Sequence, residues 1–167
     1  MPVTSDIVRT WRAPRAVARD LLDRGKREDR AIAFVMIACF LIFVAQWPRL
    51  SRIAGGYEAS PWPEDVNMEG MMTYTFYAVV IILPLTLYGL AAVTRIIGRI
   101  FGAQISWYAA RLVFFWTLLA TTPLLLLHGL VRGFIGPGFQ ANLVGAVWAL
   151  AFLLIWIQSY REAARTK

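Results

Sequence analysis

Side chains suited to catalysis or metal binding are scarce in this chain. His128 is its only histidine and Cys39 its only cysteine. His128 could act as a proton relay or a haem ligand, but a lone histidine four residues before Arg132 is more often simply hydrogen-bonded or hydrated. One cysteine cannot form a disulfide framework or a cysteine metal site within one chain. The sequence therefore predicts a protein that is not an enzyme and has no metal, no other cofactor and no nucleic-acid partner.

Two apolar stretches contain a helix breaker. Pro84 lies in one, and the sequence TTP, residues 121–123, lies in the other. Such positions can shape substrate sites in transporters, but more often they bend a helix locally while a threonine hydroxyl satisfies a freed carbonyl. No acid, lysine or arginine accompanies them at mid-membrane depth to bind an ion or a charged substrate. A small-molecule transporter or channel is therefore an alternative function and not the preferred one.

Four long uncharged runs must position these residues, in a sequence that is 59% hydrophobic. The runs cover residues 31–47, 70–94, 112–131 and 133–160. A hydrocarbon core of about 30 Å needs about 20 helical residues, so each run is long enough to cross a membrane once. We predict an all-α polytopic transmembrane bundle with spans at about residues 31–48, 70–97, 107–131 and 140–158. The last run is too short for two full helices, which favours four membrane segments over five.

Lysine and arginine are concentrated in three segments of the chain. Residues 1–30 hold eight of the 17, residues 95–111 hold three, and residues 161–167 hold three more. The others, Arg49, Arg52 and Arg132, fall in the two alternate connections. Cytoplasmic segments carry the excess of basic residues, so both termini should be cytoplasmic. The predicted domains are a cytoplasmic N-terminal segment (1–30), a transmembrane domain (31–160) and a basic tail (161–167).

The segment RIIGRIFGAQISWYAAR, residues 95–111, should be the cytoplasmic turn between the second and third spans. Arg95 and Arg99 belong at the membrane interface because an arginine at mid-membrane depth is costly. Gly102 is placed to end one helix, and Ser106 to cap the next. Small residues spaced four apart predict close helix packing, within the bundle or between copies. They are Gly98 with Gly102, and Ala141, Gly145 and Ala149 in the fourth span.

The N-terminal segment shows an amphipathic pattern. Its apolar positions recur at spacings of four and three: Ile7, Trp11, Pro14, Ala18 and Leu21. Its arginines lie mostly on other faces: Arg9, Arg12, Arg15 and Arg19. This pattern predicts an amphipathic interfacial helix on the membrane surface, divided into two pieces at Pro14. It could bind anionic lipid or a partner protein, or it could be a basic anchor that only fixes the topology.

The connection over residues 48–69 is predicted to lie outside. It is rich in proline and acidic residues and contains Trp62. A periplasmic partner or a ligand could dock on Trp62, but a solvated irregular cap with an interfacial tryptophan is the simpler interpretation.

The central sequence TRIIGRIFGAQISWYAARLVFFWTLLATTP, residues 94–123, resembles the membrane domain of the Yip (Ypt/Rab-interacting protein) family in its bacterial branch. The family shows a glycine-rich cytoplasmic turn, then a small or hydroxyl residue with an aromatic one, then a span that reaches a proline. The matching positions are Gly98, Gly102, Ser106, Trp107 and Pro123. A looser likeness extends over residues 5–160.

The resemblance implies a non-enzymatic protein of the bacterial inner membrane with a structural, assembly or membrane-organising role. Eukaryotic relatives bind small GTPases in vesicle traffic, but no residue of this chain carries that property over. The expected partners are the bilayer, anionic lipids, and a protein partner or a second copy. The predicted lipid or partner face consists of Arg9, Arg12, Arg15, Arg19, Arg95 and Arg99. An accessory subunit of a larger membrane complex is a further alternative.

Overall fold

The computed structural model describes residues 3–63, 65–100 and 102–165, so Thr166 and Lys167 of the predicted tail lie outside the described residues. Within those ranges the regular structure consists of helices: α1 (Val3–Thr10), α2 (Pro14–Asp23), α3 (Glu28–Ala54), α4 (Met68–Ile100), α5 (Trp107–Phe134) and α6 (Phe139–Ala163). The last four are long and apolar enough to cross a membrane. This confirms the predicted all-α polytopic bundle. Each of these helices extends a few residues beyond its predicted span, because a helix can continue through the headgroup region.

Helix α5 lies at the centre of the bundle. Helices α3 and α6 pack along it, and α4 and α1 also contact it. Residues 108–122 are buried with the exception of Arg111, whereas from residue 123 to 134 only Gly129 is buried. The two halves of α5 are therefore surrounded by different amounts of protein.

Aromatic side chains join the long helices in the well-covered half of α5. The ring centroids of Phe34 and Trp116 lie 4.9 Å apart, which links α3 to α5. Phe115 contacts Tyr88 of α4 at 4.8 Å. Ring pairs in this geometry contribute about 0.5–1.5 kcal/mol beyond the area that they bury. The core is thus held mainly by large side chains directed toward α5.

Helices α3 and α5 approach most closely through glycines in the other half of α5. A Cβ atom added at Gly129 would overlap the carbonyl of Ala45, and one added at Gly133 would overlap Pro48. Small residues allow such close contact between membrane helices. The predicted small-residue positions did not include these two glycines.

The two prolines that the sequence marked as helix breakers cause local irregularity without ending a helix. A π-helical stretch, Tyr77–Ile82, precedes Pro84 and adapts the hydrogen-bond register to its missing N–H. In α5, the Thr122 hydroxyl donates to the carbonyl of Leu119 at 2.7 Å, the group that Pro123 leaves without its usual donor. The expected threonine compensation is confirmed at Pro123.

The connection between α3 and α4 is irregular, as predicted, but it is fixed to the bundle. Trp62 packs beside the buried side chains of Leu50 and Met71. The Glu58 carboxylate lies 3.2 Å from Arg49 and 2.8 Å from Arg132. The expectation of a solvated loop was therefore wrong for its anchoring residues, which form long-range contacts that local composition does not encode.

The basic segments at the two ends of the sequence and in its middle meet at one end of the bundle. Arg111 pairs with Glu28. The Tyr160 hydroxyl donates to the Thr94 carbonyl at 3.1 Å. We call this end, formed by residues 24–30, 95–111 and 159–165, the termini face. The other end, formed by residues 48–69 and 130–139, is the opposite face.

Candidate functional site: a docked hairpin and basic groove at the termini face

The N-terminal segment forms an antiparallel helical hairpin. Arg9 Nη1 lies 2.6 Å from Asp20 Oδ2, and Arg24 Nη2 lies 3.3 Å from Asp6 Oδ2. The first ion pair connects the end of α1 to the middle of α2, and the second connects the start of α1 to the end of α2. The division of the segment at Pro14 is confirmed, because α2 begins there.

The tip of the hairpin enters the bundle beside the middle of α5. The Trp11 indole donates to the Ala120 carbonyl at 3.1 Å, and the Trp116 indole donates to the Thr10 hydroxyl at 3.0 Å. Ala120 lies nine residues beyond Arg111, which pairs with Glu28 at the termini face. At about 1.5 Å of rise per residue, the Trp11 contact is about 13 Å deeper than that ion pair.

The apolar face of α2 is buried against protein. Val17 and Leu21 belong to the main hydrophobic core, where Phe34 and Leu112 also lie. At the outer end of the contact, Arg19 pairs with Glu162 of α6. The predicted amphipathic helix is present, but its apolar face packs on protein, because an amphipathic pattern does not distinguish a lipid surface from a protein groove.

The predicted basic face divides into paired and unpaired arginines. Arg9 and Arg19 each form an ion pair with an acid of this chain, and the role of these arginines toward a ligand stays a prediction. The hydrogen bond to Glu162 and the charge of that carboxylate raise the pKa of the Arg19 guanidinium. Arg12 and Arg15, near the hairpin tip, and Arg99 are exposed. Their long side chains can extend toward the headgroup region while their stems lie along apolar surface.

The turn between α4 and α5 has the predicted helix ends. Gly102 has a φ of +81°, a conformation that favours glycine, and the Ala103 N–H donates to the Gly98 carbonyl at 2.8 Å. The Ser106 hydroxyl accepts from the Ala109 N–H at 3.1 Å and so caps α5. Both capping predictions are confirmed.

Arg95 is held in a fixed position beside this turn. Its Nε donates to the Ile105 carbonyl at 3.1 Å, and its Cζ lies 3.9 Å from the centre of the Trp107 ring. A groove of about 670 Å³ opens next to it. The groove is lined by Arg95, Arg99, Gly102, Ala103, Gln104 and Ile105. Two guanidinium groups at one polar groove can bind a phosphate or a carboxylate.

Two of the predicted small residues, Gly98 and Gly145, pack within this chain, whereas an added Cβ at Gly102 would meet no atom within 4 Å. The Tyr160 side chain lies across Gly98, where an added Cβ would overlap its hydroxyl. Gly145 of α6 faces His128, and a Cβ there would lie 3.5 Å from Nε2. The imidazole therefore sits between α5 and α6. Within the described residues, no group of three or more histidine, cysteine or acidic side chains is arranged to hold a metal.

The residues suggested for a transport path are packed against other parts of the chain. Thr121 and Thr122 are buried, and both hydroxyls donate to carbonyls of α5. The Trp148 indole closes over the first of them, with Nε1 at 3.3 Å from its hydroxyl oxygen. Pro84 is also buried. These positions do not present polar groups to a path across the bundle.

Comparison of the chain with protein-family models, with curated proteins and with solved structures finds no match. The positions that resemble the Yip pattern each have a structural role here. Gly102 ends α4 and Ser106 caps α5, while Trp107 stacks under Arg95 and Pro123 is accommodated by Thr122.

Proposed function

We propose that this chain is a non-enzymatic integral membrane protein that organises the bilayer around a wedge-shaped bundle. The supporting observation is the unequal burial along α5, whose residues 108–122 are buried except for Arg111, whereas residues 123–134 are mostly only partly buried. The α1–α2 hairpin adds to the first half alone. A protein with a larger cross-section in one leaflet displaces more lipid from that leaflet. The membrane then tends to bend so that the leaflet with the wider end of the protein lies on the convex side.

The distribution of charge supports the orientation of this wedge in the proposal. Fourteen of the 17 lysines and arginines belong to residues 1–30, 95–111 and 161–167, so the termini face, to which parts of all three segments contribute, is assigned to the cytoplasm. The resemblance to bacterial Yip proteins assigns the membrane as the bacterial inner membrane. Arg99 and the other basic residues of the termini face attract anionic lipid to the wider side, by about 1 kcal/mol for each basic residue near the surface.

The proposal predicts that the protein reduces the size of vesicles that contain it. The full chain would be reconstituted into liposomes at increasing protein-to-lipid ratios and the vesicle diameters measured by electron cryomicroscopy. Mean diameter should fall as the ratio rises, because each wedge adds area to one leaflet. A chain lacking residues 2–24 should have a much smaller effect at equal incorporation.

Circular dichroism of the reconstituted shortened chain serves as the control, since it reports whether the four long helices are retained. Equal vesicle diameters with the full chain, the shortened chain and protein-free lipid would contradict the proposed role.

A further inference from the structure

A second groove opens at the opposite face, between the ends of α3 and α5. It has a volume of about 540 Å³, and most of its surface is apolar. Its apolar wall and polar end are formed by Trp47, Pro48, Leu130 and Phe134, and by Arg52 and Tyr57. Trp47 and Phe134 are exposed. The groove therefore opens to the side of the bundle, at a height where interfacial aromatic residues and lipid headgroups lie.

Around this groove the described part of the chain places more arginines than acidic residues. Glu58 lies within ion-pair distance of both Arg49 and Arg132. Arg52 has no acid within ion-pair distance in the described part of the chain. Its guanidinium lies 5.9 Å from the Tyr57 ring centre, and its Nη1 reaches the Gly133 carbonyl only at 3.4 Å. The positive charge of Arg52 is thus not balanced by a described acid at the polar end of the groove.

The Arg52 head group is also incompletely hydrogen-bonded. Its Nε is buried and has no partner within the described residues. A buried donor without an acceptor costs about 1–3 kcal/mol, so a ligand oxygen there would be stabilising. Gly136 makes room for the guanidinium, since a Cβ at that position would lie 2.9 Å from Nη2. The backbone is therefore arranged around a cation that no acid among residues 3–63, 65–100 and 102–165 neutralises.

We propose that this groove binds an anionic phospholipid of the leaflet at the opposite face. The phosphate would accept hydrogen bonds from Arg52, and an acyl chain would lie along Trp47 and Leu130. A free inorganic anion would gain nothing from the apolar wall, and a neutral lipid would leave the surplus charge unmatched. The proposal does not depend on the role of the hairpin or on the termini face.

The test is a lipid titration of delipidated protein followed by native mass spectrometry, with phosphatidylglycerol compared with phosphatidylcholine. Arg12, Arg15 and Arg99, which are exposed on the hairpin and at the termini face, would first be replaced by glutamine to reduce anionic-lipid binding away from this groove. In that background, Arg52→Gln should weaken binding of the first phosphatidylglycerol about tenfold, since a hydrogen bond to a charged group contributes at least about this much. Binding of phosphatidylcholine, whose phosphate charge is offset by its choline cation, should weaken much less.

A second variant covers the possibility that Arg52→Gln disturbs folding. Leu130→Trp keeps the arginine and fills the apolar part of the groove, so it should also reduce phosphatidylglycerol binding. Unchanged binding in either folded variant would overturn the proposal. An equal loss for both lipids, or displacement of phosphatidylglycerol by millimolar inorganic phosphate, would also overturn it.

Discussion

Replacing Val17 with aspartate should undock the α1–α2 hairpin from the bundle. Val17 is 1% exposed and lies in the main core near the α2 contact with α6. A carboxylate buried there without a partner costs several kcal/mol, more than the hairpin contacts can offset. Hydrogen exchange of the protein in nanodiscs should show protection of α1 and α2 lowered at least about 100-fold, while the middle of α5 retains most of its protection.

The chain offers a matched control for this change. Val8 lies on the same hairpin but is 63% exposed, so Val8→Asp introduces the same group outside the protein core. In the Val8→Asp variant, the amides of α1 and α2 should keep their protection from hydrogen exchange. Equal protection of α1 and α2 in both variants, at the level of the unchanged chain, would show that the hairpin is not held by the core contacts described above.

A methyl group at Gly129 should separate the closest helix pair of the bundle. The added Cβ would overlap the Ala45 carbonyl, which belongs to the backbone of α3 and cannot rotate away. Overpacking of this kind costs about 1–3 kcal/mol, or more where neither backbone can shift. Gly129→Ala should therefore lower the midpoint of thermal unfolding in detergent by about 10 °C, a change that tryptophan fluorescence can follow.

Gly89→Ala is the control for the change at Gly129. It makes the same substitution within a membrane-spanning helix, but an added Cβ at Gly89 meets no atom within 4 Å. Alanine also favours helix over glycine by about 1 kcal/mol, so this variant should be unchanged or slightly more stable. A similar loss of stability in both variants would mean that the α3–α5 contact is not specially close.

The parts of the fold that depend on local chemistry could be predicted from the sequence. Long uncharged runs specify membrane-spanning helices because unsatisfied backbone groups and charges are excluded from lipid. The helix ends at Gly102 and Ser106, and the start of α2 at Pro14, follow from the conformational preferences of single residues. These features need no knowledge of the rest of the chain.

The docking of the hairpin and the pairing of the arginines could not be predicted in this way. Trp11 finds its acceptor 109 residues away, and Arg19 finds Glu162 at the far end of the chain. An amphipathic pattern shows that one face will be buried but not by what. The count of basic residues likewise indicated which side of the bundle is basic without showing that Arg9 and Arg19 form ion pairs with Asp20 and Glu162.

The depth of the hairpin tip in the bilayer tests the wedge most directly. A spin label at Arg12→Cys, with Cys39 replaced by alanine, would be compared with a label at Arg27→Cys, which lies in the loop between α2 and α3. Accessibility to oxygen and to a polar nickel reagent should place the first label about 10 Å deeper, within the hydrocarbon region of the termini-side leaflet. Equal depths for the two labels, both in the headgroup region, would contradict the proposed wedge.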